Sequence, residues 1–365
     1  MDFIHGKPIR VQPYFGYRTH QRLRLSARAL RAGTPDFSRS GRIQAMRTMV
    51  SQFASREVPD LAVTLDLERP DGKRFSHEAV TDKEGFVHFD VALEGDWAHT
   101  GDTRWEVVSL GWRNRKGGQS APGHILSPGL SADLGVISDI DDTIVETGIT
   151  GSVRAVWRNW RRVLAQFPEE RIAVPGVDLF YNALGGANED AGEDGAVGVA
   201  LPAPARPFFY VSSSPWNLYS YLVAFKRMRG LPLGPIALRD WGLNRTTFGH
   251  SSHGTHKSEA IARILRDYPQ MRFALIGDDT QGDLTAYGAV VEENPDRIAA
   301  VFIRKAAGEA FTEGELAAKS AIEGAGVPLW MGEDYHTGEA FLAEAGLAGD
   351  GDARQIVETV EKQAD

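Results

Sequence analysis

The stretch Val136-Ile137-Ser138-Asp139-Ile140-Asp141-Asp142-Thr143-Ile144 decides how this chain is read. An apolar run leads into three carboxylates within four residues, and a hydroxyl follows. Aspartate is disfavoured in strands, and like charges held close repel unless a cation or proton neutralises them. The economical arrangement is a strand tip that holds a divalent cation and leaves one carboxylate able to act as a nucleophile. An Asp-rich turn after a buried strand would account for the stretch taken alone. The partners found downstream decide between the two.

From residue 134 onward, apolar runs alternate with helical patterns, the signature of an α/β fold with a mainly parallel sheet. Strands are expected at 134–138, 208–211, 235–238, 272–276 and 298–303. Helices are expected near 152–166, 177–184, 216–229, 257–267 and 282–293, and at the acidic C-terminal end. Residues 185–207, rich in Gly, Ala, Pro and acid, read as a mobile surface loop. Upstream the grammar differs. Short alternating runs at 9–17, 22–30, 61–67, 76–80, 86–91 and 105–110 are separated by turns such as Arg69-Pro70-Asp71-Gly72, with a helix over about 41–54. Such spacing suggests a small β-sandwich-like domain. The expected organisation is a β-rich domain over 1–133, an α/β catalytic domain over 134–345 and an acidic tail over 346–365.

A chain of 365 residues with 42% hydrophobic and 24% charged residues is ordinary for a soluble globular protein of two domains. It contains no cysteine, which excludes disulfides, thiolate metal sites and a Cys nucleophile, and fits a reducing compartment. The first residues lack the apolar core of a signal peptide, and no run approaches the ~20 apolar residues that span a bilayer. A cytoplasmic protein with peripheral membrane contact is the expectation. The net charge of −9 is uneven: residues 1–60 hold 11 Lys+Arg against 4 Asp+Glu, or +7, so the remainder carries −16. A basic segment can face phosphates, but pairing within the molecule or solvation is the simpler expectation here, and no nucleic-acid partner is expected.

In parallel sheets, ligand groups gather at the carboxyl ends of strands. The first tip supplies Asp139, Asp141 and Thr143. The second, Tyr210-Val211-Ser212-Ser213-Ser214-Pro215, supplies hydroxyls, of which Ser213 and Ser214 fit the turn better than a ligand contact. Lys257 follows His253-Gly254-Thr255-His256 at a helix start. The last tip is Ile276-Gly277-Asp278-Asp279-Thr280-Gln281-Gly282-Asp283. The second acid of that tip is either Asp279 or Asp283, with Asp283 preferred, and Asp142 fits a helix-start carboxylate. His250, His253 and His256 lack a clear fourth zinc ligand. Neither a Gly-x-Ser-x-Gly elbow nor a Walker-type loop occurs, which disfavours Ser-His-Asp hydrolase and P-loop chemistry.

Taken in order, these four tips resemble the motifs of haloacid dehalogenase-like phosphatases: Asp-x-Asp-x-Thr, a strand ending in Ser, a Lys, and Gly-Asp…Asp. The resemblance implies that Asp139 is the nucleophile and Asp141 the general acid and base. It further implies that Ser212, with Thr143 and Ser213 nearby, binds substrate, that Lys257 supplies positive charge, and that Asp139, Asp141, Asp278 and Asp283 (or Asp279) form the Mg2+ site. The chemistry fits these residue types. A phosphate monoester repels a carboxylate nucleophile, and Mg2+ takes carboxylate, water and phosphate oxygens, so attack gives an aspartyl-phosphate. Positioning and electrostatics carry most of such a transfer.

The flanks of the first tip, together with 210–218, Leu238-Arg239-Asp240-Trp241-Gly242, His256-Lys257 and Ile276-Gly277-Asp278, resemble a narrower branch. This is the catalytic domain of actin-patch-type phosphatidate phosphatases and their bacterial relatives, over about 134–330. It implies conversion of phosphatidate to diacylglycerol. Asp279, in place of a small residue after Gly-Asp, and the loop at 185–207 depart from that pattern. The segment Val153-Arg154-Ala155-Val156-Trp157-Arg158-Asn159-Trp160-Arg161-Arg162-Val163-Leu164 lies where this superfamily inserts a cap, here a small one near 146–175. Its Arg and Trp suit either an anionic membrane interface or packing on the catalytic domain. The alternatives are a phosphatase for a soluble metabolite or phosphoprotein, and a membrane- or partner-binding module without turnover.

Overall fold

The structure is a computed structural model that describes residues 8–31, 56–69, 72–95, 97–99, 101–141, 143–144, 174–185, 200–239, 253–280, 282–305 and 310–347. The expected helix at 41–54, the Arg/Trp segment 153–164, most of the cap at 146–175 and all of the acidic tail beyond Leu347 lie outside these residues, as do Asp142 and His250.

The first half is built of β1 (Ile9–Pro13), β2 (Gly16–Arg18), β3 (Arg22–Arg31), β4 (Arg56–Glu57), β5 (Ala62–Glu68), β6 (Arg74–Val80), β7 (Phe86–Ala92), β8 (Arg104–Asn114) and β9 (Gly117–Ser127). Period-two alternation does what the sequence suggests: Val63, Leu65 and Leu67 of β5 are buried between exposed or half-buried neighbours. They share one core with Leu23 and Leu25 of β3, Val87 and Phe89 of β7, and Val108 and Leu110 of β8. Hydrogen bonds link all these strands into a single sheet with the order β1-β3-β2-β9-β8-β5-β6 along its main path.

Among the strands that escape sequence reading, β9 and β11 show why. Residues 117–123 contain three glycines and a proline, which argue for a loop. Yet β9 pairs with β8 along its whole length, from Asn114↔Gly117 to Arg104↔Ser127, so pairing overrides propensity. Part of the expected loop at 185–207 is likewise structured. Its last segment forms β11 (Ala200–Pro202), which pairs antiparallel with β8 and crosses into the first half.

The second half is a six-stranded parallel sheet of order β13-β12-β10-β14-β15-β16. Its strands are β10 (Leu134–Asp139), β12 (Phe208–Pro215), β13 (Ile236–Arg239), β14 (Arg272–Asp278), β15 (Ile298–Arg304) and β16 (Leu329–Gly332). The helices are α1 (Val177–Gly185), α2 (Tyr219–Met228), α3 (His253–Asp267), α4 (Asp283–Glu293), α5 (Glu313–Gly324) and α6 (His336–Glu344). Helices cover both faces, so strands read as continuous apolar runs. Phe208 and Tyr210 of β12 pack with α1 and α2, while Phe209 and Val211 pack with α3 and α4 on the opposite face.

Among the described residues, four arginines of the basic first segment are paired within the molecule. Arg18 pairs with Glu106, Arg22 with Asp90, Arg24 with Asp90 and Asp267, and Arg28 with Glu57. The Arg24–Asp267 pair, joined by a Tyr17 hydroxyl that donates to Asp267 at 2.8 Å, ties the β-rich half to the end of α3.

Lys226 of α2 is a fully buried cation away from the strand tips. Its ammonium has no hydrogen-bond partner and sits 3.4 Å from the centre of the Tyr210 ring. Burial, seconded by Arg227, pushes it well below the usual lysine range. The folded state therefore holds fewer protons at Lys226 than the unfolded chain, and stability rises with pH between the depressed value and 10.5. Lys226→Met should stabilise the fold at neutral pH by about 1–3 kcal/mol, the scale of an unpartnered buried polar group. The gain should shrink as pH approaches 10, which melting curves of both proteins at pH 7 and pH 10 would show.

Candidate active site

β10 lies between β12 and β14, in register from Val136↔Phe208 to Asp139↔Val211 on one side and from Leu134↔Arg272 to Ser138↔Ile276 on the other. Because all six strands run parallel, their carboxyl ends meet at one edge of the sheet. The tips that the sequence separates by more than a hundred residues converge there.

Three carboxylates form the floor. Asp139 ends β10, Asp278 ends β14 and Asp283 opens α4, and ligand atoms from all three lie within 4.8 Å of one another. All are fully buried. Gly277 makes this approach possible: a Cβ there would come within 2.5 Å of the Asp283 carboxylate. Gly282, at a φ of 78°, takes the left-handed turn that starts α4. Asp279 is half-buried and outside the cluster, so the structure places Asp283 rather than Asp279 beside Asp139 and Asp278.

Lys257, in the second turn of α3, reaches into this floor with 1% of its surface exposed. It pairs with Asp139 at 2.8 Å and with Asp283. Burial alone would lower its ammonium, but Asp139, Asp283 and Asp278 overturn that and raise it. Burial raises the Asp139 carboxyl well above the usual range. Lys257 opposes this, and Asp283, Asp141 and Asp278 reinforce it. Asp278 is pushed up to about 7, again by burial first and by Asp283 second. One ammonium faces three buried carboxylates, and the raised values reflect burial first and the repulsion among the carboxylates after it. An all-oxygen, over-negative donor set of this kind fits a hard divalent cation such as Mg2+.

The hydroxyls divide into two groups. Thr143 donates to Asp278 at 2.9 Å and to Asp139 at 3.3 Å, and Thr280 donates to Asp278 through its backbone N–H and its hydroxyl. Ser212 and Ser214 donate instead to the two oxygens of Asp141, at 2.6 and 2.7 Å. The structure thus does not bring the Asp141 carboxylate into the cluster of Asp139, Asp278 and Asp283, although Asp141 is buried. Ser213 is buried at the same bend. In the sequence Ser214 fits the turn, and nothing singles out Thr280. Strand alternation was the available signal for Ser214, because Phe208, Tyr210, Ser212 and Ser214 fall at every second position of β12. Tyr335, whose hydroxyl donates to the Thr143 carbonyl at 3.3 Å, was not signalled at all. His253 and His256 fall in the first turn of α3.

Comparison with known proteins bears on this arrangement directly. Residues 134–305 match the family model of the phosphatidate phosphatase APP1 catalytic domain. The chain is 30% identical over 258 residues to phosphatidate phosphatase APP1 of Saccharomyces cerevisiae, covering 70% of this chain and 40% of that protein. It is 25% identical over 173 residues to an uncharacterized protein of Schizosaccharomyces pombe, covering 47% of this chain and 25% of that one. The chain therefore spans two fifths or less of the length of these curated relatives. Among solved structures, a calcium-binding mutant of Bacteroides uniformis β-glucuronidase 2 overlaps 93% of this chain and 39% of its own at 13% identity, with a TM-score of 0.25 that carries no argument.

Proposed function

We propose, from the match of residues 134–305 to the family model of the phosphatidate phosphatase APP1 catalytic domain, that this chain is a Mg2+-dependent phosphoric monoester hydrolase whose substrate is phosphatidate. The observation that carries the reading is the buried cluster of Asp139, Asp278, Asp283 and Lys257. The family match supports the lipid substrate, and the order of the four motifs on one parallel sheet supports a haloacid dehalogenase-like architecture for the catalytic half.

Asp139 is the nucleophile: its carboxylate attacks phosphorus, the bond to the leaving alcohol breaks, and an aspartyl-phosphate forms. Asp141 gives the departing oxygen its proton and takes one from the water that releases phosphate. Ser212 and Ser214 hold Asp141 in place for both steps. Lys257 keeps Asp139 oriented and offers its charge to the phosphoryl oxygens. Asp139, Asp278 and Asp283 would hold Mg2+, which when bound offsets the repulsion between the phosphate and the carboxylates. The β-rich half, whose strands enclose one core, is sandwich-like in this reading. No helix among the described residues is long and apolar enough to cross a membrane, so a cytoplasmic enzyme would meet its lipid at the surface.

The test is a panel run with Mg2+ at matched phosphate concentration: phosphatidate in vesicles, sugar and nucleoside monophosphates, and a phosphopeptide. Fastest turnover of the vesicles supports the proposal. Faster turnover of a soluble ester sinks the lipid assignment, and inactivity on every ester alongside tight liposome binding would turn the reading to a binding module.

A further inference from the structure

The bend that holds Asp141 is only partly secured by its own sheet. β12 pairs with β10 only as far as Asp139↔Val211, and its pairing with β13 jumps from Ser212↔Leu238 to Pro215↔Arg239. Ser213 and Ser214 therefore sit outside regular ladder pairing. The Ser214 N–H donates to the Ser212 hydroxyl at 3.0 Å, and the chain continues from this bend directly into Trp216 to Ser220, whose anchoring adds to that local restraint.

The β-rich half grips those residues. The Trp216 ring packs 4.6 Å from the Tyr14 ring and 5.5 Å from the Phe86 ring. The Phe15 backbone N–H donates to the Tyr219 hydroxyl, and Gln12 donates to the Ser220 hydroxyl, each at 2.6 Å. At the centre is Arg28, a buried guanidinium on β3 that donates to the Asn217 side-chain oxygen at 2.7 Å. Arg28 is itself fixed by the Glu84 carbonyl at 3.0 Å, by Glu57 at 3.2 Å and by the Phe86 ring beneath it at 4.5 Å. A buried charge already held by two acceptors and a stacked ring loses little freedom when it binds a third acceptor, which makes it a rigid anchor.

We propose that Arg28 is a positioning residue for the proton-transfer step: by holding Asn217 it fixes the Ser212–Ser214 bend and, through it, the Asp141 carboxylate. The β-rich half is then a working part of the catalytic machinery. The proposal rests on Asp141 being the general acid. The Arg24–Asp267 pair joins the same two halves but far along α3 from this bend, so it serves as a control for mere attachment.

A general acid matters most when the leaving group is a poor one. The variants Arg28→Met, Asn217→Leu and their double, with Arg24→Met and Asp141→Asn as references, would be assayed on two esters. One is dioctanoyl phosphatidate in detergent micelles, which leaves as an alkyl alcohol. The other is p-nitrophenyl phosphate, whose phenolate departs without help. Misplacement by about an ångström can cost up to 100-fold. Arg28→Met should lower kcat on the lipid about tenfold or more, with KM unchanged, while the aryl ester loses about threefold at most. Asn217→Leu, which leaves the β half intact, should show the same selectivity, and the double variant should be no worse than either single one. Equal loss on both esters, the same selectivity in Arg24→Met, or full lipid turnover in folded Asn217→Leu would overturn the proposal. Selectivity in Asp141→Asn but in neither Arg28→Met nor Asn217→Leu would overturn it while leaving the function intact. Absence of selectivity in Asp141→Asn itself would remove the acid assignment on which it stands.

Discussion

Asp139→Asn is expected to abolish turnover of an aryl phosphate, by about 10⁴-fold or more in kcat, while leaving the protein folded. The amide that replaces the carboxylate cannot attack phosphorus, and no other carboxylate can take over. Asp141 is turned toward Ser212 and Ser214, Asp278 accepts from Thr143 and Thr280, and Asp283 is paired with Lys257. The same substitution removes one of three carboxyl groups packed within 4.8 Å, so repulsion among those that are ionised falls. Its melting temperature should accordingly match or exceed that of the wild type. Residual turnover near the wild-type rate would show that the nucleophile lies elsewhere. Loss of activity together with loss of the folded state would show that Asp139 serves structure first.

Lys257→Met should have the largest effect on stability. Removing one partner of a buried ionic cluster strands the others, at a cost of about 3–5 kcal/mol. Here the ammonium is the only Lys or Arg paired with Asp139 or Asp283 among the described residues. For a domain of this size each kcal/mol is worth about 2–4 °C in melting temperature. Millimolar Mg2+ should restore part of the loss, because a bound cation supplies the charge that Lys257 no longer does. Calorimetry of wild type and variant with and without Mg2+ would show this. A variant that melts with the wild type in metal-free buffer would mean that protons already neutralise the carboxylates and that Lys257 is dispensable to the cluster.

The position of most of this site can be read from the chain, for a physical reason. A parallel strand announces itself as a short apolar run, and the residues just after it must lie at the carboxyl edge of the sheet. Asp139, Ser212 and Asp278 each end such a run, so their convergence follows from the fold class. Lys257 was harder, because a helix-start lysine is ordinarily solvated; only its order between the second and fourth tips singled it out. Choosing Asp283 over Asp279 depended on how α4 starts, through the left-handed Gly282 and the close approach at Gly277.

What stayed hidden depends on contacts between distant segments. β9 is a strand because β8 lies beside it, despite Gly117, Gly118, Pro122 and Gly123. β11 and β16, three and four residues long, carry too little pattern to register. The contact of Arg28 with Asn217 spans 189 positions and leaves no local trace. Lys226 reads as one more polar residue near a helix end, and only packing shows that it is buried against Tyr210.

The most direct test of the central claim is the initial rate of phosphate release from phosphatidate vesicles, measured for wild type and Asp139→Asn side by side in Mg2+ and in EDTA. Release by the wild type in Mg2+ alone, with none from the variant in either buffer, is the predicted result. Equal release by the two proteins, or wild-type release undiminished by EDTA, would contradict it.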